Sequence, residues 1–528
     1  PPPELIRAIL LAPVDLLWYG GIGTYVKASD ETHAEVGDKT NDAVRVDGRD
    51  VRARIAGEGG NLGWTQRGRI EFAQAGGRVN TDFIDNSAGV DTSDHEVNIK
   101  VLLQPEVAAG RLDPDDRVAL LASMTDEVAQ LVLTHNVDQN IALSTEQAQD
   151  DSMGGAHEAW MRSLEKVGLL DRELESLPSR AEMARRLAEG EGLTRPELAM
   201  LLAWTKIHLE ALVNDSTLPD DPYLADRLVT YFPRPLRNDQ FADALQAHPL
   251  KREIVTMVTV NRFVNSQGIT AFSRLAHETS SSVAEIVRAQ LAARTIFAVA
   301  RDELAVAEAG VPAEVELQVR VALQQMIERA TRWLLHNRRG ELDIKGEAAV
   351  FTDAVAEVSS SFDRLATAHL REQTEEARAA LLAAGVPEDL ARTAAQAPYL
   401  HLALAVVDLA TRLGRPLEVV AEVFFGLAEH LGLDKVADRV NELPRTSRWD
   451  TMARAALRDD LTRLHSDLAR AVLERSPEAT AGADAIEAWV DAAGGVEREA
   501  EELVEIASEE ATLARMSVAL RTIRTLLV

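Results

Sequence analysis

The spacing of apolar residues changes near residue 103, and the change separates two kinds of predicted structure. Before it, short apolar runs alternate with stretches rich in glycine, asparagine and serine, as is typical of strands and loops in an α/β domain. After it, apolar residues recur every three or four positions, which predicts helices over nearly all the rest of the chain. We therefore predict α/β structure over 1–103, a first helical part over 104–340 and a second over 341–528.

Short strands are predicted at three places in the α/β part. The apolar run Val14–Tyr19 reads as a buried strand, and the alternating run Val51–Ala56 leads into a glycine-rich loop over 57–63. Val79–Ile84 is predicted as a third strand, followed by a polar loop over Asp85–Glu96. An open α/β sheet binds its ligands outside the carboxyl ends of its strands, so these loops are the first place to look for a site.

Capping signals predict where several helices begin. Asp113 followed by Pro114 combines an N-cap with a proline in the first turn. Thr194 and Glu197 have the spacing of a capping box. The apolar series over Leu503–Leu527 predicts one long amphipathic helix that needs a partner surface.

Composition excludes several classes of function. The 528 residues contain no cysteine, which excludes disulfides, thiolate metal sites and a cysteine nucleophile, and favours a cytoplasmic protein. Fifty-six basic residues against 85 acidic ones give a net charge of −29, which disfavours nucleic acid or an anionic membrane as a partner. No apolar run reaches the roughly 18 residues that a membrane span requires.

Glycines follow the first two predicted strands. Gly20 and Gly21 end the first, and Gly59 and Gly60 lie in the loop after the second. Glycines at such ends let a dinucleotide approach backbone amides closely. Neither stretch fits G-x-G-x-x-G, however, so ordinary turns remain the alternative.

The polar stretch after the third predicted strand offers hydrogen-bonding groups. Asn86 and Ser93 could bind amide or carboxylate groups of a ligand. The alternative is an asparagine-capped turn that leads into a helix. Ser93, Asp94 and His95 do not form a hydrolase triad, because three consecutive side chains cannot point at one atom. None of the twelve histidines lies three or four residues from another, so we predict no metal site.

Several long segments resemble the large bacterial NAD-dependent glutamate dehydrogenases. In the α/β part they are GGIGTYVK (20–27), VGDKTNDAVRVDG (36–48) and the stretch from EGGNLGW to DHEVNIK (58–100). In the helical part they are LTRPELAMLLAWTKI (193–207), LPDDPYLADRLVTYFP (218–233) and HPLKREIVTMVTVNRFVNSQG (248–268). The resemblance implies oxidative deamination of L-glutamate to 2-oxoglutarate and ammonia with NAD. It also implies a homotetramer, and that residues 1–103 are the carboxyl-terminal half of a Rossmann-like domain.

Small glutamate dehydrogenases are similar to this chain over two shorter motifs. Their Glu-Gly-Ala-Asn corresponds to Glu58-Gly59-Gly60-Asn61, and their Asn-Ala-Gly-Gly-Val to the five residues that begin at Asn86. The resemblance implies that Gly20, Gly21, Glu58, Gly59, Gly60, Asn61 and Asn86 form the nicotinamide end of the cofactor site. It also implies that Ser93 contacts the side-chain carboxylate of glutamate. The chain departs from the family at Leu62-Gly63 and Asp94-His95, where a proline and an aromatic pair are replaced.

The family's catalytic lysine and aspartate and its phosphate-binding glycine motif have no match in this chain. We therefore expect it to be the carboxyl-terminal part of a larger enzyme and assign no catalytic residue to it. Two alternatives stay open. The helical region could be a non-catalytic oligomerisation or effector-sensing module, or the chain could be an independent acidic helical scaffold.

Overall fold

The computed structural model describes residues 2–21, 23–338, 340–444 and 448–527. This part of the chain is largely helical and contains two small parallel sheets. It divides into two compact units, Pro1–Ser273 (unit 1) and Arg274–Val528 (unit 2). No helix within the described ranges is both long and apolar enough to cross a membrane.

The strands all lie in unit 1. In chain order they are β1 (Leu16–Tyr19), β2 (Val26–Lys27), β3 (Val46–Asp47), β4 (Ile55–Glu58) and β5 (Arg78–Val79). The larger sheet has the order β1–β4–β5, with every pair parallel, and β2 pairs with β3 in the smaller one. Tyr19 lies opposite Glu58 in the register, so the loops that follow β1 and β4 leave the same edge of the sheet.

Helices make up the rest of unit 1. They are α1 (Pro2–Leu10), α2 (His33–Val36), α3 (Gln66–Gln74), α4 (Asp82–Asp85), α5 (Ser87–Ala108), α6 (Pro114–Ser123), α7 (Thr125–Gln147), α8 (Asp150–Lys166), α9 (Arg180–Ala188), α10 (Arg195–Asn214), α11 (Ala225–Tyr231), α12 (Ala242–Gln246) and α13 (Lys251–Gln267), with α14 (Ala271–Thr279) at the boundary. An aromatic core lies beneath the larger sheet. The Trp64 ring meets Tyr19 edge-on at 5.7 Å and lies 5.1 Å from Phe72.

The described residues of unit 2 form helices and the loops that connect them, and they contain no strand. Its helices are α15 (Val283–Ile296), α16 (Val299–Glu308), α17 (Ala313–Asn337), α18 (Ile344–Ser360), α19 (Phe362–Leu365), α20 (Ala368–Ala383), α21 (Glu388–Leu400), α22 (Leu402–Leu413), α23 (Leu417–Leu431), α24 (Leu433–Glu442), α25 (Arg448–Arg475), α26 (Gly482–Ala492), α27 (Val496–Ser508) and α28 (Leu513–Thr525). The core of this unit is built mainly of leucine, valine, alanine and phenylalanine side chains.

The predicted helix starts are confirmed. The Asp113 carboxylate accepts a hydrogen bond from the Asp115 backbone N–H at 2.8 Å, at the start of α6. Thr194 and Glu197 form the capping box of α10. These signals act within one turn of the chain, and the rest of the protein does not override them.

Several predicted boundaries are wrong. The second strand is Ile55–Glu58 rather than 51–56, because its ladder with β1 begins where Ile55 meets Leu16. The third strand ends at Val79, and the predicted loop over 85–96 belongs mostly to α5. Most of the polar residues there lie on the exposed side of that helix, but His95 is buried. Asn86 precedes the helix without capping it through its side chain, and the ligand contacts of Asn86 and Ser93 remain predictions.

The long helix predicted over Leu503–Leu527 is two helices. α27 ends at Ser508 and α28 begins at Leu513, where the Thr512 side chain accepts a hydrogen bond from the Arg515 backbone N–H. Both helices bury part of the predicted apolar series, including Leu503 and Leu520. The predicted domain boundaries remain predictions: α5 runs through residue 103, and residue 340 lies between α17 and α18.

Candidate functional site

The loops after β1 and β4 pack closely at the carboxyl edge of the larger sheet. The Gly60 N–H donates a hydrogen bond to the Tyr19 carbonyl at 3.0 Å. A Cβ atom on Gly60 would lie 2.8 Å from the Gly21 carbonyl oxygen, and one on Gly59 would lie 2.6 Å from the Trp18 ring. The close approach of the two loops therefore requires glycine at Gly60, whereas a side chain at Gly59 would displace the exposed Trp18 ring.

Gly20 and Gly21 face open space at the same edge. Both are exposed, and a Cβ atom on either would meet no described atom within 4 Å. Their backbone is thus available to a ligand, while Gly59 and Gly60 pack against the protein. The structure brings these four predicted residues together and gives the two pairs different surroundings.

Asn61 and Asn86 are in direct contact. The Asn86 side-chain amide donates a hydrogen bond to Asn61 Oδ1 at 2.9 Å. Asn61 is exposed on the loop after β4, and half-buried Asn86 immediately precedes α5. Two side chains that lie 25 residues apart in sequence thus form one polar surface beside the glycine loops.

Glu58 lies inside the protein. Its carboxylate is fully buried and accepts hydrogen bonds from Arg69 Nε at 2.6 Å and from the Trp64 backbone N–H at 3.1 Å. Burial raises the pKa of the Glu58 carboxyl, and the hydrogen bonds from Arg69 oppose that rise. Because the side chain is occupied by protein groups and the N–H donates to Asp85, the predicted cofactor contact of Glu58 would have to come from its backbone carbonyl.

Two aspartates hold the loop between β4 and α3. Asp85 Oδ2 accepts a hydrogen bond from the Glu58 N–H at 2.9 Å, and Asp82 Oδ2 accepts one from the Leu62 N–H at 2.8 Å. Leu62 is thereby held in the left-handed region, at φ 60°. Burial raises the pKa of Asp85. Neither role follows from the sequence pattern, which predicts a strand at Asp82 and a loop at Asp85.

A hydrogen-bond chain connects this loop to α10. Arg195 Nε donates to Asn80 Oδ1 at 2.5 Å, and Asn80 Nδ2 donates to Asp85 Oδ1 at 2.6 Å. The same guanidinium donates to Ser144 Oγ and to the backbone and side chain of Asn140. Burial lowers the pKa of Arg195 to about 10. The helical part of unit 1 therefore helps to order the residues at the end of β4.

Ser93 lies farther along the same surface. It is exposed on α5, and its Oγ makes a long hydrogen bond of 3.4 Å to the Gly89 carbonyl. It follows Asn86 by seven residues, so it lies on the same side of the helix, roughly 10 Å along the axis. The structure does not bring Ser93 into contact with the asparagine pair, but a molecule lying along the start of α5 could reach both.

Two family models match this chain, one over its first part and one over most of the remainder. A family model described as "Bacterial NAD-glutamate dehydrogenase, catalytic domain" matches residues 1–146, and one described as "Glutamate dehydrogenase, C-terminal" matches residues 190–525. The chain is 44% identical to the NAD-specific glutamate dehydrogenase of Pseudomonas aeruginosa over 87% of this chain and 28% of that protein. It is 41% identical to the corresponding protein of Mycobacterium tuberculosis over 99% of this chain and 32% of that one. It therefore spans about a third of the length of these curated relatives.

Proposed function

Since this chain belongs to the bacterial NAD-glutamate dehydrogenase family, we propose that it is part of an enzyme that converts L-glutamate to 2-oxoglutarate and ammonia with NAD. The observation that best supports a site in this chain is the contact between Asn61 and Asn86 beside the open backbone of Gly20 and Gly21. NAD bound there would accept the hydride released from C2 of glutamate. The groups described here would bind and orient the reactants.

The cofactor part of the proposal concerns the carboxyl edge of the larger sheet. We assign residues 1–103 to the carboxyl-terminal half of a Rossmann-like domain, and the parallel order β1–β4–β5 supports this assignment. The exposed backbone at Gly20 and Gly21 would lie against the nicotinamide ribose. Asn61 and Asn86 supply amide donors and acceptors for the ribose and the nicotinamide carboxamide. Glu58, Gly59 and Gly60 would shape the loop that presents them.

Ser93 is the residue of this chain that is proposed to bind the substrate. Its hydroxyl is exposed and, within the described part of the chain, makes only a long bond to its own helix, so it is available to donate to a carboxylate oxygen. A hydrogen bond to a charged acceptor is stronger than one between neutral groups. We propose that it binds the side-chain carboxylate of glutamate, two turns of α5 away from the asparagines.

Proton transfer is not assigned to any residue of this chain. The catalytic lysine and aspartate that the resemblance implies find no matching positions here. The reaction requires a base and a group that polarises the 2-oxo or imino centre. The proposal therefore limits these residues to binding and orientation.

Two substitutions in the full-length enzyme test the assignment. Asn61→Ala should raise the KM for NAD about three- to tenfold, because one or two neutral hydrogen bonds are lost. Ser93→Ala should raise the KM for glutamate about ten- to a hundredfold, because a hydrogen bond to a charged group is lost. Both are measured by steady-state NADH formation.

Thr92→Ala is the matched control for Ser93→Ala. Thr92 is the neighbouring exposed hydroxyl on α5, and it donates to the Ala88 carbonyl at 2.7 Å, within its own helix. We expect this variant to keep the wild-type KM for glutamate. Wild-type KM values for both NAD and glutamate in Asn61→Ala and Ser93→Ala would refute the site assignment.

Unit 2 is proposed to act in assembly or effector sensing rather than in chemistry. The observation that favours this role is a cavity of about 340 Å³, within the range of small-molecule sites. Its lining is mainly polar and includes Thr279, Ser281, Glu285, His336 and Arg338.

We further propose that the enzyme is a cytoplasmic homotetramer, as the resemblance implies. Light scattering of the native enzyme would measure its mass directly.

A further inference from the structure

Three potential metal ligands from two helices meet in unit 1. Asp91 and His95 lie four residues apart on α5, and His135 lies on α7. Their ligand atoms all lie within 4.8 Å of one another. His135 Nδ1 is 2.8 Å from Asp91 Oδ2, and His95 Nε2 is 3.7 Å from Asp91 Oδ1. We refer to these three residues as the His95 cluster.

His95 is the unusual member of the cluster. Its side chain is fully buried and stacks on the Tyr231 ring at a centroid distance of 4.4 Å. Neither of its ring nitrogens has a hydrogen-bond partner among the described residues. A buried polar group without a partner destabilises the folded protein, so most such groups have one. The ring of His95 is therefore a candidate ligand for a bound group.

His135 Nδ1 and Asp91 Oδ2 are within hydrogen-bond distance, but the distance between His95 and Asp91 suits a shared metal ion better than a hydrogen bond. At 3.7 Å, His95 Nε2 and Asp91 Oδ1 are too far apart for a good hydrogen bond. Two ligands that each lie about 2.1 Å from a tetrahedral ion are separated by roughly 3.4 Å. Small side-chain rotations would therefore bring both atoms into coordination range.

We propose that Asp91, His95 and His135 bind one divalent transition-metal ion of the zinc class. Two imidazole nitrogens and a carboxylate oxygen form a donor set that zinc prefers, and three protein ligands leave a fourth position for water. The Asp91 and His135 side chains are 22% and 43% exposed, which gives the ion a path of entry. An ion at this position would join α5 to α7.

The positions of the three ligands along the chain explain why sequence spacing did not reveal the cluster. A pair of histidines on one helix has a recognisable spacing, but here the second histidine comes from another helix, 40 residues beyond the first. Asp91 and His95 alone have the spacing of an ordinary helical pair. The third ligand, His135, reaches the other two through the packing of α5 against α7.

Zinc binding to the purified full-length enzyme tests this proposal. The enzyme is first stripped with a chelator, and Zn²⁺ alone is then titrated in competition with a chromogenic chelator. We expect His135→Ala and Asp91→Asn to lower the zinc affinity of one site by at least about tenfold, because even second-shell changes reach that size. His95→Gln should do the same, and circular dichroism would establish whether this buried variant folds.

His369→Ala is the matched control. His369 Nε2 lies 2.7 Å from Asp438 Oδ2, so it has a carboxylate partner like that of His135 but belongs to no three-ligand cluster among the described residues. It should bind zinc like the wild type. Wild-type affinity in both His135→Ala and Asp91→Asn would overturn the proposal and leave a histidine–aspartate pair beside a stacked ring.

A cobalt spectrum gives a second readout that is independent of affinity. Co²⁺ in a site with nitrogen and oxygen ligands absorbs in the visible range, and the band pattern reports its geometry. The wild-type and His369→Ala proteins should share a band that His135→Ala lacks. The same band in all three proteins would overturn the proposal.

Discussion

Replacing Glu58 with glutamine is expected to lower the free energy of unfolding of unit 1 by about 3 kcal/mol. The carboxylate is fully buried, and Arg69 donates to both of its oxygens, at 2.6 and 3.0 Å. The glutamine side chain has the same shape but no charge, so it leaves a buried guanidinium without its main counterion. Arg69 keeps a contact of 3.3 Å with Asp82, which is why we expect the lower end of the range for a broken buried pair.

Urea unfolding followed by circular dichroism measures this loss. Glu96→Gln is a suitable control, because Glu96 is exposed on α5 and, among the described residues, pairs only with Lys100 on the same helix surface. It should change the free energy of unfolding by less than about 0.5 kcal/mol. In Glu58→Gln/Arg69→Met, the second change removes the unpaired charge, so part of the stability should return. An unchanged unfolding midpoint for Glu58→Gln would show that the buried pair contributes little.

Replacing Glu328 with glutamine should destabilise unit 2 by about 3–5 kcal/mol near neutral pH. Glu328 lies on α17 between two arginines: Arg274 Nη2 donates to it at 2.8 Å and Arg332 Nη2 at 2.9 Å. Burial alone would raise the pKa of this carboxyl, but the two guanidinium groups together hold it well below its usual value. Removing the negative charge would leave Arg274 and the buried Arg332 close to each other, with Glu278 as the remaining carboxylate partner of Arg332.

The effect of Glu328→Gln should depend on pH in a defined direction. A carboxyl whose pKa is lowered by folding adds stability above its unfolded pKa, which is 4.5 for glutamate. That stability is lost as the pH falls through the lower folded pKa. The difference in free energy of unfolding between wild type and variant should therefore be largest at neutral pH and shrink steadily below about pH 4.5.

Glu316→Gln on the same helix is the control for this series. Glu316 pairs with Arg320 one turn away, and its side chain is 31% exposed. Its replacement should therefore change the free energy of unfolding by about 0.5 kcal/mol or less. Urea midpoints measured across the acidic range compare the three proteins. If the free energies of unfolding of wild type and Glu328→Gln differed by the same amount down to strongly acidic pH, the expected direction would be contradicted.

Local signals explain which parts of the fold were predictable from the sequence. Asp113 and Thr194 marked helix starts correctly because a cap forms its hydrogen bonds within one turn. The glycines and asparagines of the predicted cofactor site were found through their resemblance to a family, and the contact between Asn61 and Asn86 is consistent with that reading. Their roles toward NAD remain predictions.

Long-range contacts explain what was missed. The polar stretch that begins at Asn86 resembled a loop because it forms a helix, α5, that packs against the distant α7, which the local pattern does not reveal. The buried state of Glu58 depends on Arg69, and the unsatisfied ring of His95 depends on its packing against Tyr231, 136 positions along the chain from it. Charge and burial of this kind arise from tertiary packing, so no spacing rule reports them.

The hydrogen bond between Arg195 and Asn80 restricts how this protein can evolve by recombination. It joins the α/β part to a helix whose first residue lies 115 positions later, and Gln66 reinforces it by donating to the Pro196 carbonyl at 3.0 Å. A crossover between homologous genes anywhere from residue 80 to residue 195 would combine partners from different parents. Such chimaeras would inherit a loop after β4 whose support comes from a foreign helix, so the two parts should be inherited together.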